Sequence, residues 1–122
     1  MEKICLDTQV IIDFLRGESA MVEKVKYYAE EELCATSLTL FELFVTVNKT
    51  DIINQFVKNI TPLEFNENCS LIASRVYNDL REIGEIRPIR NILNASVCID
   101  SGAYLVTKNR KDYEKIRGLK LV

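Results

Sequence analysis

The chain contains no histidine and no tryptophan, and it has only four glycines and two prolines. Histidine is the usual general base near neutral pH, so its absence disfavours the common serine and cysteine triads. Any acid–base or metal chemistry must therefore depend on carboxylates. Since glycine and proline are scarce, there is no stretch that resembles a linker, and we expect residues 1–122 to form a single domain with short connections.

Long hydrophobic runs are also missing. No stretch approaches the about 20 uncharged apolar residues that a membrane span requires. Asp7 and Asp13 interrupt the region in which a signal peptide would carry its apolar segment. The sequence therefore predicts a cytoplasmic protein without a membrane partner.

The cysteines show no metal-binding pattern. They are widely separated, have apolar neighbours and include no CxxC pair, and they are Cys5, Cys34, Cys69 and Cys98. A zinc site would need all four thiolates to converge. Buried, reduced cysteines without a ligand role are the expected arrangement.

The net charge of −2 conceals an asymmetry along the chain. Residues 1–80 carry seven Lys or Arg against thirteen Asp or Glu, whereas residues 81–122 carry nine against five. The basic excess of the second part is either a set of solvated helix faces or a rim that contacts phosphate groups. Composition alone leaves both interpretations open.

Short apolar runs alternate with helical patterns along the whole chain. Strands are predicted over residues 4–6, 33–36, 60–63, 104–107 and 119–122. Helices are predicted over residues 9–16, 20–32, 37–45, 51–59, 66–83, 89–100 and 111–116, with Ser37 as an N-cap. This alternation indicates βαβ crossovers and a parallel sheet covered on both faces.

Polar residues follow the predicted strands at the carboxyl edge, where open parallel sheets bind ligands. Asp7 follows the first strand directly, and Glu42 is the only charge in a mostly apolar stretch of the third helix. Asn109 and Asp112 follow the fourth strand. These residues could instead cap helices or lie on a solvated face. At Asp7 capping and ligation are compatible, and the sequence predicts an acidic pocket for a divalent metal at this edge.

The ordered set of these motifs resembles the PIN domain family. Leu6-Asp7-Thr8 follows the first strand, Glu42 lies early in a helix, and residues 102–113 read GAYLVTKNRKDY before the closing IRGL of 116–119. The set is similar in particular to the VapC-type toxins of bacterial and archaeal toxin–antitoxin pairs. The resemblance spans the chain and implies an α/β fold, a three-layer PIN-like domain with a short central parallel sheet between helices.

The resemblance also implies an endoribonuclease that depends on Mg²⁺ or Mn²⁺ and places three or four acids around the metal. Asp7 and Glu42 match the first two acids, whereas Asn91 stands at the third position and Asn109 at the fourth. Asn109 is a common variant of the family pattern, so Asn91 is the main departure. Asparagine keeps an oxygen ligand but lacks the charge, which implies weaker metal binding, and Asp112 is the best candidate to compensate.

Partners and roles follow from the same resemblance, which implies an RNA substrate, a VapB-like antitoxin and a homodimer. The residues expected at the catalytic site are Asp7, Glu42, Asn91, Asn109 and Asp112, and the first four of them are the expected metal ligands. The expected RNA contacts are Arg87, Lys108 and Arg110.

Other functions compete with a nuclease. One alternative is a catalytically silent PIN-like module for antitoxin or RNA, which Asn91 favours and the Asp7–Glu42 pair argues against. Asn91 itself fits a weakened variant, a natural loss of catalysis or a deliberate Asp→Asn change. A receiver-like phosphoacceptor domain needs two adjacent acids after the first strand, but Asp7 is followed by Thr8, and only Glu64 lies near the end of the third strand. No glycine-rich loop suggests a dinucleotide site.

Overall fold

The computed structural model describes residues 1–46 and 50–122, and this part of the chain alternates between strands and helices. The strands are β1 (Lys3–Leu6), β2 (Glu32–Thr36), β3 (Thr61–Leu63), β4 (Tyr104–Val106) and β5 (Lys120–Leu121). The helices are α1 (Thr8–Leu15), α2 (Ser19–Tyr27), α3 (Ser37–Thr46), α4 (Thr50–Val57), α5 (Glu67–Glu82), α6 (Ile89–Ser101) and α7 (Arg110–Tyr113). The predicted order of elements is confirmed, and their ends differ by a few residues.

The predicted ends of two helices are wrong. The sequence pattern extends α2 to Glu32, but α2 ends at Tyr27, and Glu32 already pairs with Lys3 of β1. Pairing in the sheet satisfies the backbone N–H and C=O groups of Glu32 through inter-strand hydrogen bonds. This pairing stabilises the strand more than a weakly amphipathic pattern stabilises a longer α2. The pattern likewise extends α7 to Ile116, whereas α7 ends at Tyr113.

The start of α3 also differs from the prediction. Ser37 is the predicted N-cap, but it is already the first helical residue. The capping side chain belongs to Thr36, whose Oγ1 accepts a hydrogen bond from the backbone N–H of Thr39 at 3.1 Å. Ser37 Oγ donates instead to the carbonyl of Leu63 at 3.4 Å. The last residue of β2 therefore caps α3, so no loop separates the two elements.

All five strands are parallel, in the order β3-β2-β1-β4-β5. The central strand is β1, where Cys5 pairs with Cys34 of β2 on one side and with Leu105 of β4 on the other. After β1 the chain adds β2 and β3 on one side of this strand, and it later adds β4 and β5 on the other side. The carboxyl ends of β1 and β4 therefore flank the topological switch point, where open α/β sheets form their binding crevice.

Alternate strand residues face two separate hydrophobic cores. Cys5, Cys34 and Leu105 pack with the buried faces of α5 and α6. Their strand neighbours Leu6 and Val106 pack with residues of α1, α2, α3 and α4 on the opposite face. Helices therefore cover both sides of the sheet, which confirms the three-layer α/β architecture.

The four cysteines are buried and free, as the sequence predicts. Burial raises the pKa of the Cys34 thiol to about 12, so this side chain stays protonated and packs as a small apolar group. Within residues 1–46 and 50–122, no helix is both long enough and apolar enough to span a bilayer.

Candidate metal centre at the carboxyl edge of the sheet

Asp7 is held at the junction between β1 and α1. Its backbone N–H donates to the carbonyl of Val106, and its Oδ1 accepts a hydrogen bond from the N–H of Thr8 at 3.0 Å, so Asp7 caps α1. Its Oδ2 accepts a hydrogen bond from Thr107 Oγ1 at 2.8 Å. Only 6% of the residue is exposed. Capping and pocket placement thus coexist at this carboxylate.

Glu42 extends from α3 towards the same crevice. Its Oε1 accepts a hydrogen bond from the hydroxyl of Thr8 at 2.6 Å. Partial burial alone would raise the pKa of Glu42, but hydrogen bonds from Arg90 and Thr8, together with the positive charge of Arg90, hold this pKa below its usual range. Glu42 is therefore an ionised pocket carboxylate.

Arg90 places its guanidinium between these two carboxylates. It lies in the first turn of α6, where the helix dipole disfavours a positive charge. Its Nη1 lies 3.0 Å from Asp7 Oδ1, and its Nη2 lies 2.5 Å from Glu42 Oε1. Burial alone would lower the pKa of Arg90, but the hydrogen bonds to Glu42 and the charge of Asp7 raise it above its ordinary value. The two acids thus stabilise a cation at an unfavourable helix position.

The side chain of Asn91 joins the cluster next to Arg90. Its Oδ1 accepts a hydrogen bond from Arg90 Nη1 at 3.2 Å, and its Nδ2 donates to Asp112 Oδ2 at 3.3 Å. Asp112 therefore fixes the amide so that the oxygen points towards the guanidinium. Asn109 lies at the start of α7, where its N–H donates to Thr107 Oγ1.

A buried polar network supports the pocket from below. Thr36 Oγ1 donates to Asn94 Oδ1 at 2.6 Å, and Asn94 Nδ2 donates to the Tyr113 hydroxyl at 3.1 Å. This hydroxyl also accepts from Arg90 Nη1 at 2.8 Å and lies 3.3 Å from Asp7 Oδ2, to which it can donate. Burial, reinforced by the charge of Asp7, raises the pKa of Tyr113, so the phenol keeps its proton.

Four of the five predicted catalytic residues line one cleft of about 340 Å³, namely Asp7, Glu42, Asn91 and Asn109. Asp112 reaches the cleft only through its contact with Asn91. The sequence did not single out Arg90, Tyr113 or Thr8. The available signal for Arg90 was its place directly before Asn91, in the first turn of a helix that starts at the predicted pocket.

The three predicted RNA contacts point elsewhere. Arg87 pairs with Glu85 at 2.9 Å, Lys108 pairs with Asp13, and Arg110 donates to the backbone carbonyl of Val122 at 2.9 Å. In the part of the chain that the structure describes, none of the three lines the cleft. Their contact with RNA stays a prediction.

The donor set of the cleft fits a hard cation. The described residues contain no cluster of three or more carboxylate, thiolate or imidazole side chains placed around one point. However, oxygens of Asp7, Glu42 and Asn91 all lie within 3.2 Å of one positively charged group, the guanidinium of Arg90. Carboxylate and amide oxygens are the ligands that Mg²⁺ and Mn²⁺ prefer. Arg90 thus marks a position that a cation already occupies.

A family model described as PIN domain matches residues 4–119 of the chain. The chain is 28% identical to ribonuclease VapC3 of Methanocaldococcus jannaschii over 93 residues, which cover 75% of this chain and 94% of that protein. It is 24% identical to the tRNA(fMet)-specific endonuclease VapC of Shigella flexneri over an alignment of 128 positions, gaps included. This alignment covers 98% of this chain and 96% of that protein.

Solved structures with the same fold include VapBC2 from Rickettsia felis bound to a DNA fragment from their promoter. The match has a TM-score of 0.86 at 21% identity and covers 98% of this chain and 97% of that chain. DNA-bound VapBC from Salmonella typhimurium matches with a TM-score of 0.86 at 20% identity, over 100% of this chain and 98% of that one. At such low identity these matches establish the fold.

Proposed function

Because the chain belongs to the PIN domain family, we propose that it is a VapC-type toxin that cleaves RNA with the help of Mg²⁺ or Mn²⁺. The observation that carries this proposal is the convergence of Asp7, Glu42 and Asn91 on one cation at the carboxyl edge of the sheet. The relatives that are named VapC ribonucleases support RNA as the substrate class.

In this proposal Asp7, Glu42, Asn91 and Asn109 hold the metal. A divalent ion held there would supply polarisation of the phosphate and a lowered pKa of the attacking water. Asp7 is positioned for this role by Thr107, which donates to the oxygen that does not cap α1. Asp112 acts as a positioning residue, since its contact with the amide nitrogen of Asn91 aims the amide oxygen into the cleft.

Asn91 lowers the activity in this proposal. An acid at its position would add a third negative charge beside Asp7 and Glu42, and the amide contributes none. Two carboxylates carry just enough negative charge to balance a divalent ion. The affinity of carboxylate sites rises with the number of charged ligands, so a third acid would strengthen binding. Weak cleavage by this chain is the expected consequence.

Partners are proposed on the same basis. The VapBC complexes that share the fold support a VapB-like antitoxin as the partner, and a homodimer is proposed from the resemblance to VapC-type toxins. On α3, beside Glu42, the side chains of Phe41, Phe44 and Val45 are exposed, and an exposed apolar patch of this kind favours a protein partner near the cleft. RNA contacts are proposed for Arg87, Lys108 and Arg110, which would have to leave their present partners.

A second candidate function is favoured by Arg90. A catalytically silent PIN-like module would need no metal, and in this chain the charges of Asp7 and Glu42 are already balanced in part by one guanidinium. Such a module would still bind an antitoxin or RNA through the same surfaces.

Cleavage of a mixed pool of structured RNA in Mn²⁺ tests the proposal. We expect weak cleavage by the native chain, clear cleavage by Asn91→Asp and none by Asp7→Ala. Asn78→Asp is the matched control, because it adds the same charge at an exposed position of α5. The control should cleave no faster than the native chain.

Three other results would change the conclusion. Equal cleavage by the native chain and Asn91→Asp would mean that the amide is a sufficient ligand. The proposal that Asn91 lowers the cleavage rate would then be wrong. Cleavage that persists in Asp7→Ala would remove the acid pair from the mechanism. No cleavage by either the native chain or Asn91→Asp, with retained binding of RNA, would favour the silent module.

A further inference from the structure

The guanidinium of Arg90 has hydrogen-bond partners on several elements around the cleft. Besides the two carboxylates, Nη2 donates to the hydroxyls of Thr8 at 2.8 Å and Thr39 at 3.3 Å. Nη1 donates to the Tyr113 hydroxyl at 2.8 Å. These partners come from three helices, α1, α3 and α7, and from Asp7 directly after β1. Arg90 is thus bound as a ligand would be, with nearly every donor used.

We propose that Arg90 is an internal counter-cation that competes with divalent metal ions for Asp7 and Glu42, so that the acid pair binds metal only after the guanidinium has left. The proposal rests on the proposed function for the kind of ion, and it adds a residue that sets the affinity for that ion. In the present arrangement, an arginine of the same chain partly neutralises the acid pair.

Simultaneous occupancy is excluded by distance and charge. Mg²⁺ binds carboxylate oxygens at about 2.0–2.1 Å and keeps a full octahedral shell. Asp7 Oδ1 and Glu42 Oε1 already lie 3.0 and 2.5 Å from guanidinium nitrogens, and Glu42 Oε2 lies 3.3 Å from Arg90 Nε. A divalent ion there would lie within a few ångströms of a unit positive charge that faces the same two oxygens, so the two cations repel strongly.

The side chain of Arg90 can leave without refolding. The guanidinium sits at the end of a long flexible side chain, and 28% of the side chain is exposed at the cleft. A change of its rotamers moves the charge, whereas the backbone of α6 stays in place. In the first turn of α6, the positive end of the helix dipole also favours departure once an ion has neutralised the acids.

Mn²⁺ binding, followed through the electron paramagnetic resonance signal of the free ion, tests the proposal without RNA. The native chain is compared with Arg90→Met, which keeps most of the side-chain length but no charge. If the guanidinium is absent from the acid pair in about 1–10% of native molecules, its removal tightens the apparent Kd by about 10- to 100-fold. Arg81→Met is the matched control, because its guanidinium lies over the Tyr77 ring on α5, and its Kd should stay within about twofold of native.

Two further variants make the result specific. Asp7→Ala combined with Arg90→Met should lose the tightened binding, because the ion would lack half of the acid pair. Arg90→Lys keeps the charge but cannot span two carboxylates with a planar fork. It should bind Mn²⁺ with an affinity between those of the native chain and Arg90→Met, and it carries the test if Arg90→Met does not fold.

An unchanged Mn²⁺ affinity in the folded Arg90 variants would overturn the proposal, as would equal tightening in Arg81→Met. The outcome is separable from RNA cleavage. Tighter Mn²⁺ binding without any cleavage by Asn91→Asp would contradict only the proposed function. Cleavage by Asn91→Asp with no effect of Arg90 on Mn²⁺ affinity would contradict only the counter-cation.

Discussion

Two clusters of three charges differ in what surrounds them. The pocket triad consists of Asp7, Arg90 and Glu42, with one cation between two acids. The outer triad consists of Arg75, Asp79 and Arg117, with one acid between two cations, and its Arg75–Asp79 and Arg117–Asp79 distances are 3.0 and 3.3 Å. The ion-pair distances of the two triads are therefore similar.

The two triads differ in exposure and in neutral partners. The exposures differ at Asp7, which has 8% of its side chain exposed, and at Arg117, which has 72% exposed, whereas Glu42, Arg75 and Asp79 have 34%, 34% and 36% exposed. Hydroxyl and amide groups complete the hydrogen bonds of the pocket triad, including those of Thr8 and Tyr113. In the outer triad the Arg117 side chain lies mostly in water, where an ion pair contributes little because solvent screens it. Similar distances thus accompany different burial and different neutral partners, and the proposed competition with a metal ion concerns the pocket triad.

The largest expected difference between the triads is in the free energy of unfolding. Arg90→Met leaves Asp7 and Glu42 facing each other without a cation, which costs about 2–4 kcal/mol in the absence of divalent ions. Arg117→Met removes an exposed partner and costs about 0.5 kcal/mol or less. Urea unfolding at neutral pH with a chelator present measures both values. Similar costs for the two variants would mean that the pocket triad is no more coupled than a surface pair.

Much of the fold could be predicted because its signals are local. The alternation of strands and helices and the end of α6 next to Gly102, which has a left-handed conformation, both depend on neighbouring residues. The end of α2 was missed because Glu32 is drawn into β2 by its pairing with β1, a contact that no local pattern records. The cap of α3 was missed because β2 and α3 join directly at Thr36.

Asp7 could be predicted because it follows β1 at the edge where the strand ends meet, and Glu42 because it is the only charge in a mostly apolar stretch of α3. Arg90 could not be assigned to the site in the same way. Its backbone position at the start of α6 was predictable, but the long side chain of an arginine can point in several directions. Arg87, three residues earlier, pairs with Glu85 instead. Only the three-dimensional arrangement decides which of the two arginines faces Asp7.

A smaller difference between the triads is expected in acid. The pKa of Glu42 lies below its usual range in the folded chain, so ionised Glu42 stabilises the fold above the unfolded pKa of about 4.3, and this contribution is lost as the pH falls through the folded pKa. We expect Glu42→Gln to lose less stability than the native chain between about pH 5 and pH 3, by about 1 kcal/mol or less because the side chain is one-third exposed. Urea unfolding across this range measures the slope. If the stability of Glu42→Gln fell as steeply with pH as that of the native chain, Glu42 would not contribute to the loss of stability in acid.

The smallest expected effect is the response of the two triads to salt. The Debye length falls from about 30 Å at 0.01 M to about 3 Å at 1 M ionic strength, and exposed pairs are screened more than buried ones. The cost of Arg117→Met should therefore fall by a few tenths of a kcal/mol, to about zero, at about 1 M NaCl. Arg90→Met should keep more than about half of its cost, since Asp7 is almost fully buried. Urea unfolding of both variants and the native chain at the two salt concentrations gives these differences. A cost of Arg90→Met that vanished in salt together with that of Arg117→Met would show that water reaches the pocket triad freely, and the distinction between the triads would then rest on geometry alone.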